Sequence, residues 1–284
     1  MMPWFIWKGK NSLSDYGLWI NKLPKRVRAE ERHEEIEIPG RAGTVLMLEG
    51  EDVYSTYSAE MVVIARNDLN IHGIIDWLRG SSELVLSTEL DKARQARIVG
   101  EVAFERVGNN LQQATIPFVF QPFRVSRKEE TDRFSISSST ADIFNPGDVS
   151  SKPTVKVVKT GSATISVGNT SMSFTHLPGE VVIDCDAELI ITKARTYSAS
   201  DYYYVGDYAN YSGDSTYSAG LYRFTSEGVG ESASWERIDN QIANYEYVWL
   251  GAWTGEMLRI PKGKQTFTLT GSPALTVDPK WRWL

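Results

Sequence analysis

Apolar residues recur at every second position along most of this chain, and at helical spacing in one clear stretch. In NDLNIHGIIDWLRG, Ile71, Ile74, Ile75 and Leu78 fall at i, i+3, i+4 and i+7 and make one apolar face. Asn67 or Asp68 can accept bonds from the first free amides, and Gly80 suits the position just past the last turn. A helix is therefore predicted over 68–79. The flanking segments read as strands. VYSTYSAEMVVIAR precedes the helix, and RIVGEVAFERV follows it with Ile98, Gly100, Val102 and Phe104 on one face. VGNNL then turns, and ATIPFVFQPF returns with Ile116, Phe118 and Phe120 inward. Pro117 and Pro122 offer no amide to a ladder, which predicts an edge or a bulge for the returning strand.

KRVRAEERHEEIEIPGRAGTVLMLEG breaks this pattern. Its first half is charged on both faces and cannot enter a core, so residues 25–38 are expected to form a long arm, either solvated or paired with another subunit. PGRAG, at 39–43, reads as the loop at its tip. Around 126–153 the composition turns polar, as at a domain junction. Beyond it TVKVVKT, ATISVG, SMSFTHL, EVVIDCD and ELIITKA read as closely spaced strands separated by Gly, Asn and Pro. The pattern resumes in GEMLRIPKG, KQTFTLTG and LTVDPKWRWL. Strands without helical period predict an antiparallel sandwich, with Trp281 and Trp283 on one face of its last strand.

The expected fold is mainly β with one helix. An α+β N-terminal domain covers 1–137 and a C-terminal antiparallel β-sandwich covers 138–284. Residues 196–247 interrupt the sandwich. They hold ten of the thirteen tyrosines, are rich in Ser, Gly, Asp and Asn, and nearly lack Leu, Ile and Lys. GLYRFTSEGVGESASWERID within them looks like a hairpin. Three readings are open for these rings: a small core of the insertion's own, a protein interface, or a saccharide site in which pyranose faces stack on aromatic rings.

Composition narrows the function classes. The chain is 42% hydrophobic and 23% charged, as in globular proteins, and no apolar run approaches the roughly 20 residues that span a bilayer. The apolar start MMPWFIW precedes its charges, the wrong order for a secretory signal, so a soluble protein made in the cytoplasm is expected. Net charge is −6, with 18 basic and 20 acidic groups in 1–137 and 2 basic against 8 acidic in 196–247. No basic stripe marks a nucleic-acid binder.

Nor does any motif carry catalysis. Cys185 is the only cysteine and lies in an apolar strand-like run, as a buried inert thiol does. His33, His72 and His176 lack partners at metal-ligand spacing. GDSTYS has the look of a hydrolase nucleophile, but no histidine follows position 176 to act as its base. GVGESA joins two strand-like pieces, with no βαβ unit around it. Asp184, Asp186 and Glu188 alternate, which places them on one strand face as a cation site or as a solvated surface. Paired carboxylates for glycoside hydrolysis have no distinguished members. No catalytic residue, metal or cofactor is predicted.

The order of these blocks resembles that of the distal tail proteins of long-tailed phages. EIEIPGRAGTV, then a strand, a helix ending WLRG and a hairpin ending IPFVFQPF match the N-terminal domain of that family. IFNPGDVSSKPTVKV, EVVIDCDAEL and MLRIPKGKQTFTLTG…PKWRWL match the second. The resemblance covers nearly the whole chain outside about 196–247. It implies a structural baseplate protein at the virion tail tip, without enzymatic activity. Six N-terminal domains would form a ring joining the tail tube to the tail-associated hub protein, and DNA would pass through without specific binding. The C-terminal domain would be a galectin-like sandwich facing outward, with receptor-binding protein at the periphery. Arg28, Glu31, Arg32, Glu35 and Arg41 become candidates for an inter-subunit arm. The insertion departs from the family pattern, and its Tyr222, Trp235, Tyr247, Trp249 and Trp253 are candidates for contact with a partner or with host wall polysaccharide. The alternative function is a cell-surface saccharide-binding adhesin that uses the sandwich and its aromatic insert.

Overall fold

A computed structural model describes residues 2–37, 44–48, 52–66, 69–193, 195–200, 202–203, 208–212, 220–225, 228–230, 234–239, 246–248 and 253–284. The chain divides into two compact units, one ending at Lys128 and including Arg282–Leu284, the other spanning Glu129–Trp281. No described helix is long and apolar enough to cross a membrane.

The first unit contains β1 (Phe5–Trp7), β2 (Lys10–Asn11), β3 (Trp19–Lys22), β4 (His33–Glu37), β5 (Thr44–Leu48) and β6 (Tyr57–Arg66). Helix α1 (Ile71–Leu78) follows, then β7 (Ser81–Leu86), β8 (Lys92–Ile98), β9 (Phe104–Arg106) and β10 (Leu111–Ser126). The main sheet runs β2-β1-β7-β8-β10-β6-β3, while among the described residues β4 and β5 form a separate two-stranded sheet. Inward residues of alternating strands fill the core: Phe5 and Trp7, Met61 and Val63, and Ile116, Phe118 and Phe120, the last three as predicted.

The helix starts later than predicted, at Ile71. Asn70 caps it, its Oδ1 accepting the Gly73 amide at 3.1 Å, and Gly80 takes the expected left-handed turn at φ +84°. Asn67 and Asp68 lie outside the described residues. The buried face is Ile74, Trp77 and Leu78. Trp77 joins it because the large ring finds partners there, stacking on Tyr16 at 4.2 Å and on Phe5 at 5.6 Å while its Nε1 donates to the Trp7 carbonyl.

The prolines sit in β10, and that strand is interior. It pairs with β6 from Leu111 to Phe120 on one side, and with β9 and then β8 on the other. Pro117 falls between the β9 and β8 pairings, where its carbonyl accepts from Val99. Pro122 lies in the register shift between Phe120 and Arg124, the bulge that a missing donor favours. The other departure is at Gly100, whose φ of +100° ends the alternation after Ile98. Val102 and Phe104 nonetheless pack against the core.

The second unit opens with one helical turn, α2 (Glu129–Asp132), then β11 (Phe134–Ile136), β12 (Thr140–Asn145), β13 (Thr154–Val167), β14 (Thr170–Asp184) and β15 (Leu189–Lys193). Segments that read as four short strands are thus two long ones. Gly161 and Gly179, both at positive φ, are kinks within the β13–β14 hairpin, whose register shifts between Gly161 and Ala163. An antiparallel β-sandwich results. The IDCDAE segment is a turn: Asp184 Oδ1 accepts the amides of Asp186 and Ala187 at 3.0 and 3.2 Å, and Glu188 is left-handed. Its three acids therefore do not share a strand face. Among the described residues no group of three His, Cys, Asp or Glu is placed to hold a metal.

The insertion has its own sheets, formed by β16 (Arg195–Thr196), β17 (Tyr202–Tyr203), β18 (Tyr208–Tyr211), β19 (Gly220–Phe224), β20 (Gly228–Val229) and β21 (Trp235–Asp239). One sheet is ordered β16-β18-β19-β21, the other is β17-β20, and the predicted hairpin is β19–β21. The chain then rejoins the sandwich through β22 (Glu246–Val248) on β15, β23 (Trp253–Gly255) on β14, β24 (Gly263–Thr270) and β25 (Ala274–Asp278), the last two flanking β13. In GEMLRIPKG the end glycines belong to β23 and β24, and between them Ile260 bridges to Ser151.

The last strand, β26 (Arg282–Trp283), corrects an expectation. It pairs with β10 of the first unit, Arg124 with Trp283 and Val125 with Arg282, and not with the sandwich. Lys280, at φ +48°, breaks the run. Trp281 is buried in the second unit, while Trp283 lies in the first, with Lys92 Nζ 4.3 Å above its ring.

Candidate interaction surfaces

The charged arm is a two-stranded ribbon in which β4 and β5 are in register from His33–Leu48 to Glu37–Thr44. Charge on both faces keeps such a segment out of a core, so its backbone groups pair within the ribbon. A bridge between Glu31 and Tyr54 joins it to the unit, supported by Arg32 N–H on the Val53 carbonyl and Ser55 N–H on the Glu30 carbonyl. Tyr54 packs edge-on against Phe123 at 5.6 Å, and its hydroxyl donates to Glu31 Oε1 at 3.4 Å. Burial, followed by the charges of Glu31 and Asp52, raises the Tyr54 pKa, and Arg28 opposes the shift. Of the arm candidates, Arg28 and Glu31 therefore meet at Tyr54, and Arg32 is exposed beside them. Glu35 stands on β4 opposite Leu46. Arg41 lies outside the described residues.

The aromatic candidates are spread over two sheets. Tyr222 is 4% exposed, and its ring lies 4.8 Å from half-buried Trp235. Tyr197 stacks on Trp235 at 4.8 Å, Tyr211 meets it edge-on at 5.1 Å, and Phe224 stacks at 5.6 Å. With buried Ala209 and Phe224 these rings form a core that belongs to the insertion, the first of the three readings of its tyrosines. With so few aliphatic residues, the segment has mainly rings to bury. Tyr247 is on β22, paired with Thr192, and half-buried Trp253 is on β23, paired with Phe174. Trp249 lies outside the described residues.

Cys185 is buried, and desolvation pushes its pKa up to about 12, so it stays a thiol. His33 and His72 are exposed, and His176 is half-buried.

One constellation escaped the reading of the sequence. Glu89 lies within 2.8 Å of Arg26, 3.4 Å of Arg124 and 3.7 Å of Arg94. Arg94 also donates to the Tyr57 hydroxyl at 3.0 Å, and Arg124 donates to the backbone oxygen of Leu284. These residues share no motif, since the fold collects them from segments far apart in the chain. The only local signal is the cluster of charges in ELDKAR.

No protein-family model matches the chain, and no curated protein matches it by sequence. Among solved structures the chain is similar to the Dit protein (gp 19.1) of phage SPP1, described as a paradigm of the hub adsorption apparatus in phages that infect Gram-positive hosts. The TM-score is 0.59 at 12% sequence identity, with 100% of each chain covered. At that identity the likeness speaks for the fold, and it extends over both units.

Proposed function

We propose that this chain is a structural protein of the tail tip of a long-tailed phage or prophage. The observation that carries the reading is the end-to-end likeness to a hub protein of a phage adsorption apparatus. In this reading residues 1–137 build a homohexameric ring that joins the tail tube to the tail-associated hub protein, and DNA passes through its centre. The sandwich of the second unit, without Arg282–Leu284, faces outward in the virion. The β4–β5 arm reaches a neighbouring subunit, which suits a ribbon too charged to be buried in its own core. The slightly negative balance of 1–137 suits a bore that must not hold phosphates. The insertion, 196–247, serves as an accessory surface for receptor-binding protein or wall polysaccharide. Tyr222 and Trp235 support it from within, and Tyr247, Trp249 and Trp253 are its contact candidates.

The test is the mass of the purified protein in solution, followed by negative-stain images. A six-fold ring with an open centre is expected, alone or after mixing with tube and hub proteins. A particle that stays monomeric in every mixture would overturn the reading.

A further inference from the structure

The alternation that turns Phe118 and Phe120 into the core turns Pro117 and Val119 to the opposite face of the β6–β10 pair. A cleft of about 400 Å³ opens there, lined by these two residues together with Val99, Glu60, Lys22 and Lys25. Val99 is 48% exposed, Pro117 and Val119 are half-buried, and the three charged residues are exposed. Among the described residues no carboxylate pairs with either lysine. The cleft is thus an apolar surface with positive charge in excess. The β4–β5 ribbon has the complementary chemistry. β5 reads TVLML, four apolar residues in succession, and β4 reads HEEIE, with three glutamates and no lysine or arginine. Among the described residues the ribbon is a sheet of two strands, and two strands alone have no interior in which to bury an apolar run. We propose that the cleft is the docking site for the β4–β5 ribbon of a second copy of this chain.

Charge and apolar content together select this occupant. The apolar run of β5 covers Val99, Pro117 and Val119, and the glutamates of β4 meet Lys22 and Lys25, which gives the apolar centre and charged rim of a protein interface. A small anion would satisfy the lysines but leave both apolar surfaces in water. The Glu31–Tyr54 bridge holds the base of the ribbon to its own unit, so a copy can lend its arm without unfolding. Each copy has one arm and one cleft, and the two differ. The contact is therefore head-to-tail, the kind that closes into a ring when the rotation between copies allows it. The inference rests on the proposal that the arm reaches a neighbour, and it adds where the arm lands.

The experiment mixes equal amounts of unlabelled and isotope-labelled full chain, alone and with tube and hub proteins, and joins touching amines and carboxylates with a carbodiimide. Links from Lys22 or Lys25 to Glu34, Glu35 or Glu37 are expected, with about half of them joining a labelled to an unlabelled chain, as a contact between copies requires. Links confined to single copies, or none from these lysines to the ribbon in any mixture, would overturn the proposal. Charge reversal gives a second measurement. Lys22→Glu with Lys25→Glu, at exposed positions, is expected to weaken self-association at least about tenfold without moving the melting temperature. Glu35→Lys with Glu37→Lys is expected to do the same. The two double variants mixed together regain opposite charges at every junction, and association is expected to return to within about threefold of the unaltered protein. Undiminished association of the lysine variant, or no recovery in the mixture, would also overturn it. A ring whose links avoid the cleft would sink this inference and leave the ring standing, and copies linked through the cleft that never close would do the reverse.

Discussion

Buried polar residues decide more of this molecule than their number implies. Asn145, 1% exposed, donates to the carbonyls of Val149 and Ile260 at 3.1 and 2.9 Å, and its Oδ1 accepts the Gly147 amide at 2.8 Å. One amide thereby fixes the NPGD loop and anchors a segment more than 100 residues later in the chain. Cys185 is the opposite case, a buried group whose charged form is offset only in part by a Leu258 backbone hydrogen bond and by Lys280 and Lys152. Its thiol is pushed from 9.0 up to about 12, mainly by burial. The unfolded chain releases this proton near pH 9 and the folded chain holds it to about pH 12, so the folded state binds more protons in that window. Stability is therefore expected to fall across it by about 1.4 kcal/mol per pH unit, about 4 kcal/mol in all, and to be unaffected by this group below pH 9. Urea unfolding of the protein and of Cys185→Ala at several pH values isolates the contribution of this thiol. Parallel curves for the two proteins between pH 9 and 12 would contradict it.

At the scale of elements, glycine is where the sequence was hardest to interpret. Gly108 in VGNNL is the hairpin turn that the pattern announced, and its φ is +95°. Gly161 and Gly179 carry the same signal in the sequence yet sit inside long strands, because a kink and a turn both call for a residue without Cβ. Only the partner strands distinguish the two uses, and those lie far away. Alternation placed Ile116, Phe118 and Phe120 correctly because one buried face suffices to fix a strand's phase. It could not place Pro117, whose tolerance depends on the gap between β9 and β8. Two glycines separate conformation from space. Gly108 and Gly255 both have positive φ, but a Cβ at 108 meets nothing within 4 Å, whereas at 255 it would stand 2.0 Å from the Ser171 carbonyl oxygen. Gly108→Ala is expected to cost about 1 kcal/mol. Gly255→Ala is expected to cost about 3 kcal/mol or more, since β23 must leave β14 to accommodate it. Denaturant midpoints of the two variants compare them directly, and equal losses would show that backbone conformation alone sets the cost.

At the scale of the whole molecule, the two-part organisation was legible in the polar stretch 126–153, and the unit boundary after Lys128 falls inside it. The Arg26–Glu89–Arg94–Arg124 cluster was not, because ion pairs between distant segments leave no periodic trace. The destination of the last strand was illegible for a related reason. Apolar residues at 281 and 283 satisfy any sheet with a free edge, and the choice between sheets is made by partners that local pattern does not contain. The structure supplies those partners: the β10 ladder, Lys92 over Trp283, Arg282 over Phe123, and Arg124 on the Leu284 oxygen. Removing residues 282–284 takes all of them from β10 at once. Hydrogen exchange of Arg124 and Val125 amides is then expected to accelerate by about tenfold for each 1.4 kcal/mol lost locally, while amides of Ala274–Asp278 keep their protection. Had the strand belonged to the sandwich, the pattern would reverse, with β25 or its neighbours losing protection and β10 unchanged. The comparison therefore tests one pairing and, with it, which sheet the end of the chain completes.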